Sequence, residues 1–327
     1  MKKNNPQQKL KKNIWRIFYI ALFTLLLLLI PAPNLYFRTI EKTNGISFGE
    51  SIKLPEPPFY PQRQGSNPPD VSAEGIYIVD IPSSVILYEK NSNTKFLPAS
   101  TTKIATALVA LDYYQLDDVL TVKTVTNNGR TMGLVPNEQI TVESLLYGTL
   151  VHSANDAAYT LAENYPGGVE KFIAMMNKKT SFLNLSNTHF TNPVGFDDKD
   201  NYTTPVDLAR LAKAAITDKV FAKIISIKSI TVSDINFTRF HPLTNVNELL
   251  GKVAGVAGVK TGFTDSAGEI LVSEVKKNGR SVLFVVLKSQ DRFGDTTKLI
   301  DWVFGNFVWK NIREITPSGF TPAILGQ

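Results

Sequence analysis

The chain has 327 residues, 43% of them hydrophobic, enough to bury a sizeable core in one large or two modest domains. It has no cysteine, which excludes disulfides, a cysteine nucleophile, thiolate metal sites and an N-terminal lipidated cysteine. The net charge of +6 is no sign of a nucleic-acid partner, because Lys2, Lys3, Lys9, Lys11, Lys12 and Arg16 account for it; setting those six aside from the 35 basic residues leaves 29 against 29 acidic ones.

Residues 1–16 are this basic stretch, and Ile17 to Ile30 follow it almost wholly apolar, with apolar character continuing through Pro31, Pro33 and Asn34 to Phe37. Basic residues ahead of an apolar run place the N-terminus in the cytoplasm and the remainder outside it. The stretch to Phe37 reaches the roughly 20 residues that span a bilayer, and Pro31-Ala32-Pro33 disfavours a peptidase site, so 17–37 reads as an uncleaved signal-anchor, with cleavage left open. Localisation follows as a single-pass membrane protein whose folded part is extracytoplasmic. Residues 38–70, with Pro55, Pro57, Pro58, Pro61, Pro68 and Pro69 spaced through polar residues, read as a semi-extended linker.

The folded domain is expected over 71–315, with a short tail over 316–327. Gly75 to Asp80 and Val85 to Glu89 read as two strands of a hairpin. Ser100 precedes a run in which Ile104, Ala107, Leu108 and Leu111 recur at helical spacing, so it is expected in the first turn of a buried helix with Lys103 on the same face. Thr141 starts a further helix, and Ser153 and Asn155 then fall at an interhelical corner. Lys260-Thr261-Gly262 follows a glycine-punctuated run and is expected on an edge strand beside a cleft, Gly262 allowing close backbone approach. Glu269 to Glu274 and Ser281 to Leu287 flank an Asn278-Gly279 step suited to a tight turn, and a final helix includes Leu299 to Phe307.

Three stretches carry chemistry as an ordered set: Ser100-Thr101-Thr102-Lys103, Ser153-Ala154-Asn155 and Lys260-Thr261-Gly262. S-x-x-K alone is weak, since it also occurs at Ser92 and Ser273, neither of which starts a convincing apolar helix; S-x-N and K-T-G occur once each. In isolation each would read as a helix cap or an ordinary turn. Together they describe serine acyl transfer without histidine. The helix N-terminus favours the oxyanion formed when Ser100 attacks a carbonyl. Lys103 is a base at neutral pH only if burial or nearby positive charge lowers its pKa, and Lys260 is expected to supply that charge. Ser153 can pass a proton, Asn155 can bond a substrate backbone, Lys260 and Thr261 can hold a carboxylate, and the Phe263 amide can complete an oxyanion hole with that of Ser100.

The chain resembles the D-alanyl-D-alanine carboxypeptidases, low-molecular-mass penicillin-binding proteins. The likeness runs through Leu97 to Lys103, Ser153 to Ala158, Asn192-Pro193-Val194-Gly195-Phe196 and Gly258 to Thr264, and covers roughly residues 71–307. It implies an α/β (α+β) fold of the β-lactamase/transpeptidase kind: an antiparallel sheet flanked by helices, a mostly helical subdomain, and the active site between them. It implies Ser100 as nucleophile, Lys103 as base, Ser153 as proton relay, and Asn155, Lys260, Thr261 and Gly262 as substrate-binding residues. The substrate would be a peptidoglycan stem peptide ending in D-Ala-D-Ala, β-lactams would be covalent inhibitors, and no metal or organic cofactor is implied. Departures from the pattern are Ala257, where an acid is frequent, Glu269, where a small or neutral residue is common, and Ala154, where the related S-D-N motif has an acid, which favours the carboxypeptidase branch over a class A β-lactamase.

A D,D-endopeptidase or β-lactamase with the same chemistry, and a peptidoglycan-binding protein without activity, are the alternatives. With only His152, His189 and His241 and no G-x-S-x-G elbow, a Ser-His-Asp enzyme is disfavoured; the three histidines show no metal-ligand spacing, and His152 is read as structural or solvent-facing.

Overall fold

A computed structural model of the chain describes residues 59–311, together with residue 15 and residues 18–23, which are helical. Two units separate, 1–55 and 56–327. Apart from those few helical residues, the expected signal-anchor lies outside the described residues, as do the linker up to residue 58 and the tail. Among the described residues no helix is long and apolar enough to cross a membrane.

Five antiparallel strands form the main sheet: β2 (Gly75–Asp80) and β3 (Ile86–Lys90) at one side, then β8 (Val256–Thr264), β9 (Gly268–Lys277) and β10 (Arg280–Ser289), in the order β3-β2-β10-β9-β8. The expected hairpins are both present. Asn278 and Gly279 both take positive φ, 53° and 70°, which matches the right-handed twist of the strands they join. The central strands are apolar on both faces because both are covered. Ile270, Val272, Leu283, Val285 and Leu287 point into one core with the helices, while Leu271, Val275, Val282, Phe284 and Val286 point into a second. Leu299, Ile300, Trp302 and Val303 of the last helix close that second core. Each such fully buried side chain contributes about 1.5–3 kcal/mol.

The helical subdomain is built around α1 (Lys103–Tyr113), whose residues through Ala110 are all buried. A helix apolar on every side belongs in the middle of a bundle. Around it lie α2 (Val142–Leu150), α3 (Asn155–Asn164), α4 (Gly168–Phe182), α5 (Pro205–Thr217) and α6 (Lys219–Ile225), and the last helix, α7 (Arg292–Asn306), stands on the far face of the sheet. Thr141 caps α2 by accepting the Ser144 N–H, as its position in the sequence suggested. Two small hairpins were not foreseen: β4 (Val119–Thr121) with β5 (Gln139–Thr141), and β6 (Ser229–Ser233) with β7 (Phe240–Thr244).

Two boundaries need correction. Residues 59–63, read as linker, form strand β1 (Phe59–Arg63), antiparallel to β11 (Phe307–Asn311), so Phe307 ends no helix. Pro61 made the segment look like linker, but a proline is tolerated in a short two-stranded edge ladder. The ladder is held onto the domain by Trp309 Nε1, which donates to Asp80 Oδ1 at 2.8 Å, and by Trp302 Nε1, which donates to the Ser66 carbonyl at 3.1 Å.

Candidate active site

Ser100 sits in a 3-10 turn (Ala99–Thr102) that leads directly into α1, not in the helix itself. The turn is forced into place by a close backbone approach. Ala99 has a positive φ of 45°, and Gly195, with φ 90°, lies so near it that a Cβ there would come within 1.7 Å of the Ala99 carbonyl oxygen. Asn192 shapes that neighbouring loop, its Oδ1 accepting the N–H groups of Val194, Gly195 and Phe196 at 3.2, 2.7 and 2.9 Å. Thr106 of α1 pins the loop by donating to the Pro193 carbonyl at 2.6 Å.

The result is a lysine sealed under a serine. Lys103 has no exposed surface; its Nζ lies 3.0 Å from Ser100 Oγ and donates to the Val194 carbonyl at 2.9 Å. Burial lowers its pKa from the ordinary lysine value to about 7, against the opposing pull of the Asp156 carboxylate. This corrects the expectation that Lys260 supplies the shift. The cation–cation effect is felt at Lys260, whose pKa is driven well down by burial first and then by Lys103, Arg292 and Arg130.

Ser153 and Asn155 lie where α2 gives way to α3. Ser153 takes the left-handed conformation, φ 62°, which a non-glycine residue adopts at a cost of about 1–3 kcal/mol, and its Oγ accepts from Lys260 Nζ at 2.8 Å. The structure thus joins Ser153 to Lys260, as it joins Ser100 to Lys103. Asn155 donates its side-chain amide to the Asn128 carbonyl and its backbone N–H to that of Arg130, both at 2.7 Å. The adjacent Asp156, fully buried, accepts the N–H groups of Met132, Gly133 and Leu134 and so fastens the segment that carries Asn128 and Arg130.

β8 is an edge strand, as expected for Lys260-Thr261-Gly262, and runs beside the Ser100 turn. A Cβ on Gly262 would stand 3.3 Å from the Ser100 nitrogen, so glycine permits the approach. Lys260 and Thr261 are buried, while Phe263 is exposed. Lys260 Nζ also donates to the Thr261 carbonyl at 3.0 Å. Residues two apart on a strand present their backbone groups to the same side, so the Phe263 N–H shares the side of the Thr261 carbonyl that Lys260 takes.

All eight residues foreseen from the sequence therefore border or underlie one cleft of about 720 Å3, whose lining includes Ser100, Ser153, Asn155, Thr261, Gly262 and Phe263. Lys103 and Lys260 lie beneath it. Arg292 and Arg130 were not foreseen, being single arginines with no local pattern. Arg292 donates from Nη1 to the Gly262 carbonyl at 3.0 Å, and its backbone N–H reaches Glu269 Oε2 at 2.8 Å. Glu269, noted in the sequence as a departure, thus has a local partner at the start of α7. His152 lies against Thr244, with its Nδ1 3.3 Å from that carbonyl, and burial lowers its pKa.

Comparison with known proteins bears on what this cleft does. Residues 62–291 match the family model of peptidase S11, described as D-alanyl-D-alanine carboxypeptidase. D-alanyl-D-alanine carboxypeptidase DacF of Bacillus subtilis is 33% identical over 72% of this chain, the match spanning 63% of that protein's length. A D-alanyl-D-alanine carboxypeptidase of Streptomyces sp. strain K15 is 33% identical over 72% of this chain and 88% of its own. The crystal structure of the Streptomyces K15 DD-transpeptidase superposes with a TM-score of 0.70 at 32% identity, covering 73% of this chain and all of that one.

Proposed function

Because the chain belongs to the D-alanyl-D-alanine carboxypeptidase family of serine peptidases, we propose that it removes the terminal D-alanine from peptidoglycan stem peptides through an acyl-enzyme on Ser100. One observation carries the assignment of the nucleophile. A lysine with no exposed surface and a pKa near 7 lies 3.0 Å from the Ser100 hydroxyl, so at neutral pH much of it is a free amine able to take that proton.

As Ser100 Oγ attacks the carbonyl carbon of the penultimate D-alanine, its proton passes to Lys103 Nζ. The oxyanion that forms is met by the N–H groups of Ser100 and Phe263. Collapse of the tetrahedral intermediate breaks the C–N bond, and the departing amine takes, by way of the Ser153 hydroxyl that Lys260 holds in place, the proton that Lys103 had gained from Ser100, so that Lys103 is a free amine once more. Lys260 and Thr261 hold the terminal carboxylate, Asn155 bonds the peptide backbone, and Gly262 keeps the strand close. Water then attacks the ester with Lys103 again as base, regenerating Ser100 and releasing the shortened peptide. A β-lactam offers an amide in the same place but leaves no detached amine, so its acyl-enzyme persists as inhibition.

The same proposal includes a membrane location. The basic start and apolar run of residues 1–37 support an uncleaved single-pass anchor with the catalytic domain on the extracytoplasmic face, where peptidoglycan lies.

The test is a time course of intact mass with benzylpenicillin beside an assay of D-alanine release from a pentapeptide ending in D-Ala-D-Ala. A lasting one-equivalent adduct at Ser100, release of D-alanine, and loss of both in Ser100→Ala are the expected results. Rapid penicillin hydrolysis would make it a β-lactamase, cleavage of cross-linked peptides in preference to free ends an endopeptidase, and neither adduct nor release a binding protein.

A further inference from the structure

The reaction leaves one buried histidine without a use. His241, in β7, has both ring nitrogens against acceptors: Nδ1 lies 3.0 Å from the Met132 carbonyl oxygen, and Nε2 lies 2.6 Å from Glu138 Oε1. A carbonyl oxygen only accepts, so Nδ1 carries a proton. The Nε2 contact then needs a second proton, held by the ring or by the carboxyl, and in either arrangement the pair is neutral overall. Glu138 Oε2 accepts the Val135 N–H at 3.0 Å, so the carboxyl is gripped at both oxygens. Both side chains are buried, away from competing water.

The strut ends on Met132, two residues beyond a segment that lines the active-site cleft. Asn128, Gly129 and Arg130 line the cleft, and the carbonyls of Asn128 and Arg130 receive the side-chain and backbone N–H groups of Asn155. Asp156 fastens the N–H groups just beyond, at Met132, Gly133 and Leu134. The Gly133 N–H held by Asp156 and the Met132 carbonyl taken by His241 belong to one planar peptide, which is therefore held from both sides. We propose that His241 is a positioning residue for the reaction: through Met132, and braced by Glu138, it fixes the cleft wall that aims the Asn155 amide at the substrate. The inference rests on the substrate-binding role given above to Asn155.

Two substitutions separate this from a merely structural histidine. His241→Phe removes both bonds at similar volume. Glu138→Gln keeps the strut, because the Gln amide donates to Nε2 of a neutral ring that still donates from Nδ1 to Met132, while its oxygen accepts the Val135 N–H. In the full chain, His241→Phe is expected to raise KM for a D-Ala-D-Ala peptide about tenfold with kcat changed far less. Amide exchange across residues 128–134 should quicken in the same variant, while Glu138→Gln stays near wild type in both readouts. Unchanged KM and exchange in folded His241→Phe would overturn the proposal, as would Glu138→Gln proving equally damaging. If His241→Phe does not fold, His241→Leu, which makes neither bond, takes its place with the same expectations. Absence of D-alanine release by the wild type would instead defeat the carboxypeptidase reading, and the exchange data would still decide whether the strut holds the wall.

Discussion

A lysine ammonium has no place in a dry interior unless something is gained by weakening it. With Lys103 as the base proposed beside Ser100, kcat/KM for peptide hydrolysis should rise with pH through a midpoint near 7, the value to which burial lowers this group. A profile flat from pH 6 to 8 would count against Lys103 as the base. Lys103→Met should slow penicillin acylation about 10²- to 10⁴-fold, the usual contribution of a positioned base. The same substitution tests the cost of burial. With a folded-state pKa near 7 and the ordinary value of 10.5 when unfolded, wild-type Lys103 destabilises the fold fully below pH 7, and that penalty fades as pH rises toward 10.5. Any stability advantage of Lys103→Met in urea denaturation should therefore be largest near pH 6, on the order of 1–4 kcal/mol, and shrink at pH 9. An advantage that grew with pH would mean that the lysine is not held in its neutral form.

Elements differ in how openly the sequence declares them. The hairpin of β9 and β10 is announced by its apolar runs and its Asn-Gly step, and α1 by its helical repeat, because the signal and the structure are both local. The ladder of β1 and β11 joins residues about 250 positions apart, so nothing near either strand predicts its partner. The loop at Asn192–Phe196 is similar, since what fixes Gly195 is the Ala99 carbonyl almost a hundred residues earlier. A chain beginning at Val71 would lack β1 and the Ser66 contact to Trp302. At about 1 kcal/mol net per lost ladder bond, and 2–4 °C per kcal/mol for a domain of this size, its melting temperature should fall by roughly 5–10 °C against a chain beginning at residue 56. Equal melting temperatures would show that the ladder contributes nothing to stability. Gly195→Ala should be more severe. Its methyl would displace the Ala99 carbonyl and with it the Ser100 turn, so penicillin acylation should be lost even where circular dichroism shows the helices intact.

The whole molecule places its chemistry where the sheet, the helical subdomain and one edge strand meet, drawing Ser100, Ser153 and Lys260 together from a span of about 160 residues. The three triplets were legible because each is a short pattern, and their fixed order is what made them a set. Arg292, Glu138 and His241 were not, because a lone arginine, a lone acid and a lone histidine acquire meaning only from what the fold brings against them. Charge is the other property that belongs to the whole chain. Residues 1–55 hold nine of the 35 basic residues and two of the 29 acidic ones, so residues 56–327 carry 26 basic against 27 acidic, and a folded domain without its first 55 residues has no net positive charge to draw it to anionic lipid. If the apolar run of 17–37 spans the bilayer, attachment is hydrophobic, and neither salt nor alkaline carbonate should release the full chain from membranes, whereas detergent should. A chain of residues 56–327 should stay in the supernatant throughout. Release of the full chain by 1 M salt would reduce the segment to a surface-bound basic peptide, and recovery of a soluble product lacking the first 30 to 40 residues would show that it is a cleaved signal.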